Sequence, residues 1–253
     1  MQYNILTSVN ETYWNEIANE TIKELDKNWI ASGKIFIYHE FRKEFLDSVK
    51  SNFSDRVVWL ALHETVPELS AWIDQWKDHP KASGLGKGAW RDHAIKWAHK
   101  TFAYFHRCQE QKSDWVIWLD SDALLFKPID NTFLNIICDN NFAVSYIGRK
   151  GNYSECGFLS FNLNNPVTLD FIQKFKDLYY SGDFTKVSET HDSFLFDAVR
   201  IDQFSHCAEL FNDLNKDSKT DKNPFGNSKI GSHFWHGKGA NKAKTFAKAK
   251  IRK

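Results

Sequence analysis

At 253 residues with 42% apolar side chains, the chain is long enough for one large α/β domain and apolar enough for a packed core. Lys plus Arg number 33 against 32 for Asp plus Glu, which excludes the strong positive balance of a general nucleic-acid binder. Cys108, Cys138, Cys156 and Cys207 are widely spaced and form no CxxC pair, which argues against a zinc site and a disulfide framework and fits a reducing compartment.

Tyr3 to Val9 reads as a first strand closed by Asn10, and Trp14, Ile17, Ala18, Thr21, Ile22 and Leu25 then recur at helical spacing. Lys34 to His39 and Val57 to Leu62 read as the next two strands, and Pro67 opens a helix carrying Leu69, Trp72, Ile73 and Trp76. This βαβαβα rhythm predicts a largely parallel sheet with helices on its faces. The glycine-rich stretch Ser83 to Gly88 lacks GxxxxGK[ST] spacing and reads as a plain loop rather than a phosphate cradle. Trp90, Ala94, Trp97, Ala98, Thr101, Phe102 and Phe105 mark one face of a long helix, which predicts that both tryptophans face the core, with Arg91 and Lys96 off the stripe.

After Asp114, the stretch Trp115-Val116-Ile117-Trp118-Leu119 is a short apolar, aromatic and β-branched run, the pattern of a buried central strand, and it ends in Asp120-Ser121-Asp122. Unpaired buried charge is costly, so two acids at that position need a reason. Open α/β folds place their ligands at the carboxyl ends of strands. Two hard oxygen donors there suit Mg²⁺ or Mn²⁺, ions that commonly arrive with phosphates.

Beyond the acids, Pro128 is expected to open a helix through Leu134 and Ile137. Phe142 to Ile147 reads as a strand, and Tyr153 to Leu163 as another interrupted at Gly157. Asn165-Pro166 is a cap and first-turn proline for a helix carrying Leu169, Ile172, Phe175 and Leu178. A further helix covers Asp192 to Arg200, with Asp192 as a candidate N-cap, and the polar stretch Asn212 to Lys229 reads as a long loop. Near the C-terminus, His233-Phe234-Trp235-His236-Gly237-Lys238-Gly239 offers an imidazole for a metal, a glycine for close approach and a lysine for phosphate. His236 is the first choice of ligand and His233 the fallback.

With these residues in hand, the chain resembles the GT-A-type glycosyltransferases. The resemblance rests on the apolar strand ending in Asp120-Ser121-Asp122, the segment Glu155-Cys156-Gly157-Phe158, and the C-terminal histidine with its following glycine and lysine. It implies a single Rossmann-like α/β domain over residues 1–239 with a mostly parallel, mixed sheet, followed by a basic tail at 240–253. It implies Asp120, Asp122 and His236 as ligands of Mn²⁺ or Mg²⁺, with Lys238 on the donor's diphosphate and Thr7-Ser8-Val9-Asn10 at the nucleotide base. Arg91, Lys96, Ser121 and Gly157 are counted with the donor contacts, and Asp192 and Glu155 are the candidate catalytic acids. The implied activity is metal-dependent hexosyl transfer from a nucleotide diphosphate sugar to a saccharide or other hydroxyl acceptor, a glycan or lipid-linked saccharide. The chain departs from the family at Glu155-Cys156, where many members carry Asn or Ala before the glycine.

Two rival readings exist. A haloacid-dehalogenase-like phosphatase also has Asp-x-Asp after an apolar strand, but that strand is normally the first, and Leu124 replaces its usual Thr or Val. The other rival is a nucleotide-sugar-binding module without catalysis. The N-terminus Met1-Gln2-Tyr3-Asn4-Ile5 has no basic or apolar targeting pattern, and no stretch approaches the roughly 18 apolar residues of a membrane span. The expectation is a cytoplasmic protein without specific nucleic-acid contacts. Its tail, with Lys242, Lys244, Lys248, Lys250, Arg252 and Lys253, is expected at most to touch an anionic inner-membrane face weakly.

Overall fold

The computed structural model describes residues 1–85, 90–218, 220 and 222–237. Nine strands are described: β1 (Tyr3–Asn10), β2 (Ile35–Glu40), β3 (Val57–Ala61), β4 (Trp115–Leu119), β5 (Ala123–Leu125), β6 (Val144–Arg149), β7 (Asn152–Asn162), β8 (Phe211–Asp213) and β9 (Phe234–His236). Seven form one sheet in the order β3-β2-β1-β4-β7-β6-β8, and β5 and β9 form a separate two-stranded ladder. β1, β2, β3 and β4 pair in parallel, β7 runs antiparallel to both β4 and β6, and β8 is parallel to β6. One strand, β7, therefore opposes the direction of the rest, giving the mostly parallel, mixed α/β sheet expected from the strand-helix order.

β4 lies between β1 and β7 with all five residues buried, and Trp118 is only 1% exposed. Its side chains alternate between two cores. Val116 and Trp118 pack with Phe102, Tyr104, Phe161 and Phe175 on one face, while Trp115, Ile117 and Leu119 pack with Ile5, Ile22 and Leu134 on the other. Burying each large apolar side chain stabilises by about 1.5–3 kcal/mol, so both faces hold this strand in the middle of the sheet.

The structure corrects several element expectations. The long helix is Ala94–Glu110, and Trp90 precedes it. His93 has non-helical φ/ψ of −120° and 60°, so the stripe's first member is not on the helix and lies 55% exposed. Trp97 is half-buried, whereas Phe102 packs fully into the core as the stripe predicts. The first helical region starts at Glu11, capped by Asn10, and passes through a π-helical turn at Trp14–Ala18 before the helix Asn19–Asn28. Pro128 does not open a helix: the cap is Asp130, whose carboxylate accepts from Phe133 N at 2.8 Å, and the helix is Asn131–Ile137. The polar stretch after residue 211 begins as the short strand β8 and contains the helical turn Pro224–Asn227, so it is not all loop. Part of the glycine-rich stretch, Lys238 and the basic tail lie outside the described residues. No helix among the described residues is long and apolar enough to cross a membrane.

Candidate active site

The acidic motif sits just past the carboxyl end of β4, where the chain turns at once into β5. Asp120 O accepts from Ala123 N at 2.9 Å and Asp120 N donates to Gly157 O at 2.8 Å, so the turn is tied to the middle of β7. β5 pairs antiparallel with β9 in a register that sets Ala123 opposite His236. A three-residue ladder thus carries an imidazole from far along the chain back to the acids.

Asp122 is 3% exposed; its Oδ1 lies 3.0 Å from His236 Nε2, and its Oδ2 accepts from the Tyr13 hydroxyl at 2.7 Å. Asp120 Oδ1 accepts from Lys100 Nζ at 2.9 Å and from Trp118 Nε1 at 2.7 Å. Its other oxygen points toward Gly157, where a Cβ would lie 3.1 Å from Asp120 Oδ2 and 3.2 Å from His236 Cε1. Any larger residue at 157 would crowd both the acid and the imidazole, which accounts for a glycine inside a strand. One donor atom each from Asp120, Asp122 and His236 lie within 4.8 Å of one another.

Burial pushes the Asp120 pKa up, aided by Asp122 and opposed by Lys100. Burial pulls the other way on His236, but its hydrogen bond to Asp122 and the nearby acids outweigh it and the imidazole pKa is raised. The Tyr13 phenol is pushed up by burial and then by Asp122, so it remains a donor. Burial disfavours charge on Lys100, yet Asp120 and Asp192 more than compensate and keep it an ammonium.

Lys100 is a residue that periodicity did not single out. Besides Asp120 it contacts Asp192 Oδ2 at 2.6 Å and donates to Cys156 O at 2.9 Å, linking the long helix, β7 and the helix Asp192–Phe204. Lys96, one turn earlier, is exposed and lies 5.1 Å from the Trp97 ring centroid. Asp192 is buried in the first turn of its helix, and the capping role falls to His191, whose Nδ1 accepts from Phe194 N at 3.2 Å. Glu155 Oε1 lies 3.8 Å from His236 Nδ1. His233 faces elsewhere, packed against Phe133 with ring centroids 3.8 Å apart and the planes tilted by 36°.

Thr7, Ser8, Val9 and Asn10 end β1, the parallel neighbour of β4; Thr7 and Val9 are buried, and the Asn10 side chain caps the following turn. Ser121 is buried, and its carbonyl accepts from Thr21 Oγ1. Arg91 pairs with Glu189 at 3.0 Å, and both line a cleft of about 1050 Å³ together with Tyr153, Asp197, Arg200 and Lys216. Exposed Trp90 stands beside it, its ring 5.4 Å from that of His191.

The sequence matches no protein-family model and no curated protein. The fold is similar to several solved glycosyltransferases. The galactosyltransferase LgtC, solved with donor and acceptor sugar analogues, matches with a TM-score of 0.55 and 11% identity over 98% of this chain and 95% of that one. GlyE of Streptococcus pneumoniae TIGR4 matches with a TM-score of 0.52 and 14% identity over 85% of this chain, which spans 46% of GlyE's length. Mouse xyloside xylosyltransferase 1 gives 0.50 and 12% over 85% of this chain and 86% of that one. The likeness is one of fold: the chain has the architecture of the GT-A-type glycosyltransferases.

Proposed function

We propose that this chain is a glycosyltransferase that moves a hexosyl group from a nucleotide diphosphate sugar to a hydroxyl acceptor, assisted by Mn²⁺ or Mg²⁺, with residues 1–239 as the catalytic domain. The observation that carries this reading is the convergence of Asp120, Asp122 and His236 at the carboxyl end of a buried central strand. The donor set fits the ion: two carboxylates and one imidazole suit a small divalent cation. The 3.0 Å between His236 Nε2 and Asp122 Oδ1 suits two neighbouring ligands on such an ion. His236 Nδ1 makes no hydrogen bond among the described residues, and the ring is oriented by Asp122, by packing on Phe225 and by Glu155 at 3.8 Å.

When bound, the ion would supply charge stabilisation to the leaving diphosphate. The chain's own residues do the rest. Lys100 and Trp118 fix one oxygen of Asp120, leaving the other directed toward the Gly157 side. Tyr13 fixes Asp122 in the same way. Such fixed charges and dipoles stabilise developing charge without reorganising at the moment of reaction. Asp192, paired with Lys100, positions rather than abstracts a proton, and Glu155 is the carboxylate on the Nδ1 side of His236, 3.8 Å away. The end of β1 would receive the nucleotide, and the cleft beside Arg91 and Trp90 the acceptor. The phosphatase reading is disfavoured because β4 is the fourth strand along the chain.

The test is calorimetric titration of nucleotide diphosphate sugars, with and without Mn²⁺, into the wild-type chain and Asp122→Ala. Donor binding should require Mn²⁺ and vanish in the variant, while far-UV circular dichroism stays unchanged. Donor binding independent of both the ion and Asp122 would sink the assignment, and hydrolysis of para-nitrophenyl phosphate would revive the phosphatase.

A further inference from the structure

The same edge of the sheet carries a second convergence of ligating groups. Glu40 is the last residue of β2, His63 lies in the helical turn Leu62–Thr65 directly after β3, and His99 lies on the helix Ala94–Glu110. Because β2 and β3 are parallel neighbours, their carboxyl ends bring Glu40 and His63 to one place, and the long helix crosses above them. One ligating atom of each lies within 4.8 Å of the others. His99 Nδ1 is 2.9 Å from Glu40 Oε1, and His63 Nε2 is 3.4 Å from Glu40 Oε2. The two imidazole rings stand at 90° with centroids 5.6 Å apart, so they approach the carboxylate from two sides.

We propose that Glu40, His63 and His99 form a second metal site, for a borderline transition ion of the Zn²⁺ class, separate from the acidic centre. The donor chemistry sets the preference. Two imidazoles and one carboxylate are a known zinc donor set that leaves a position for water, whereas oxygen-rich sites favour Mg²⁺ and Mn²⁺. Ligands held at about 2.0–2.2 Å from a tetrahedral ion are separated by roughly 3.3–3.6 Å. The two imidazole nitrogens face different oxygens of Glu40, at 2.9 and 3.4 Å, so one carboxylate oxygen and both nitrogens, all within 4.8 Å of one another, need to draw together by about an ångström to reach that range. An outer partner is already in place: Ser70 Oγ, on the helix Pro67–Trp76, lies 2.9 Å from His63 Nδ1 and orients Nε2 toward Glu40. A hydrogen bond to the non-ligating nitrogen is the usual device that fixes a metal-binding histidine.

The side chains of Glu40, His63 and His99 are 25%, 40% and 25% exposed, which provides an entry path and room for water ligands. The widely spaced cysteines argue against a thiolate site, and these donors do not need them. His99 immediately precedes Lys100, so an ion here would tie the ends of β2 and β3 to the helix that presents the lysine to Asp120 and Asp192.

The experiment is equilibrium dialysis of the chain against Zn²⁺ followed by metal analysis, with Co²⁺ absorption spectroscopy alongside. To blank the acidic centre, it is done on Asp120→Asn/Asp122→Asn, and in parallel on Asp122→Asn/His236→Gln, which keeps the Asp120–Lys100 pair. Each should retain one equivalent of Zn²⁺ and give Co²⁺ visible bands of a nitrogen–oxygen site. Adding His63→Gln/His99→Gln should abolish both the equivalent and the bands. These side chains lie at the surface, and unchanged far-UV circular dichroism would confirm that the fold persists. Absence of Zn²⁺ from both blanked samples, or retention after the histidine substitutions, would overturn the proposal.

Discussion

Lys100 Nζ lies 2.6 Å from Asp192 Oδ2, joining the middle of the long helix to the first turn of the helix Asp192–Phe204. The same ammonium holds Asp120 at 2.9 Å, so one buried cation serves a buried acid and a half-buried one. Removing one partner of such a cluster leaves charge in a poorly solvated place, which costs on the order of 3–5 kcal/mol. Lys100→Met should therefore lower unfolding stability in a urea titration by about that amount. Lys100→Met/Asp192→Asn should recover part of it, because the second change removes one of the stranded charges. Equal stability of wild type and Lys100→Met would show that the cluster contributes nothing.

Gly157→Ala introduces one methyl group against Asp120, Phe225 and His236. Overpacking of this kind typically costs about 1–3 kcal/mol. The larger expected effect is on Mn²⁺, since the methyl would sit 3.1 Å from Asp120 Oδ2 and 3.2 Å from His236 Cε1. Titration of Mn²⁺ by electron paramagnetic resonance should show weakened binding, with the melting temperature reduced only modestly. Unchanged Mn²⁺ affinity would mean that the ion does not use this side of Asp120.

The two histidines of the C-terminal segment should separate cleanly. His236 Nε2 faces Asp122 at 3.0 Å, whereas His233 packs on Phe133. His236→Gln should lose more Mn²⁺ affinity than the roughly 10–100-fold typical of removing an outer partner of a metal ligand. His233→Gln should leave Mn²⁺ binding at the wild-type value. A reversed ranking in the same titration would overturn the choice of ligand.

Asp197 holds the start of β7 to the last long helix. Its carboxylate accepts from Ser154 N and Ser154 Oγ, each at 2.7 Å, and from Arg200 Nη2 at 2.9 Å. Asp197→Ala leaves a buried amide and hydroxyl unmatched, at a cost of about 1–3 kcal/mol. Hydrogen exchange should show faster exchange at Ser154 and its neighbours in β7 while β1 and β4 remain protected. Uniform protection across the sheet would show that this anchor is redundant.

The central strand and its acids were legible in the sequence because a strand buried on both faces must be apolar throughout, and Trp115 to Leu119 is. The parallel strands β1, β2 and β3 showed as short runs rich in aromatic and β-branched residues. β5 and β9 were hidden because three residues carry no periodicity, and their pairing joins positions far apart in the chain. Trp90 misled because its spacing from Ala94 and Trp97 fits a helix that the backbone at His93 does not begin until later. Lys100 was passed over because a lysine on a helix is ordinarily solvated. The signal was nevertheless present in the run Phe102-Ala103-Tyr104-Phe105, which is apolar right round a helical turn and leaves no solvent face beside this lysine. Asp192 looked like a cap because short acids favour that position, yet His191 fills it and frees Asp192 to face Lys100.

The β5–β9 ladder also has a consequence for synthesis of the chain. Asp120 and Asp122 emerge from the ribosome well before His236, and the imidazole can reach them only when β9 docks on β5. At roughly 5–20 residues per second, the intervening segment takes on the order of ten seconds to be made. During that interval a nascent chain holds its acid pair at the edge of a partly assembled sheet, without the imidazole that the ladder later sets beside Asp122. A stall after β7 but before Phe234 would therefore leave β4 paired on both sides and its acids without the imidazole that β9 brings beside Asp122.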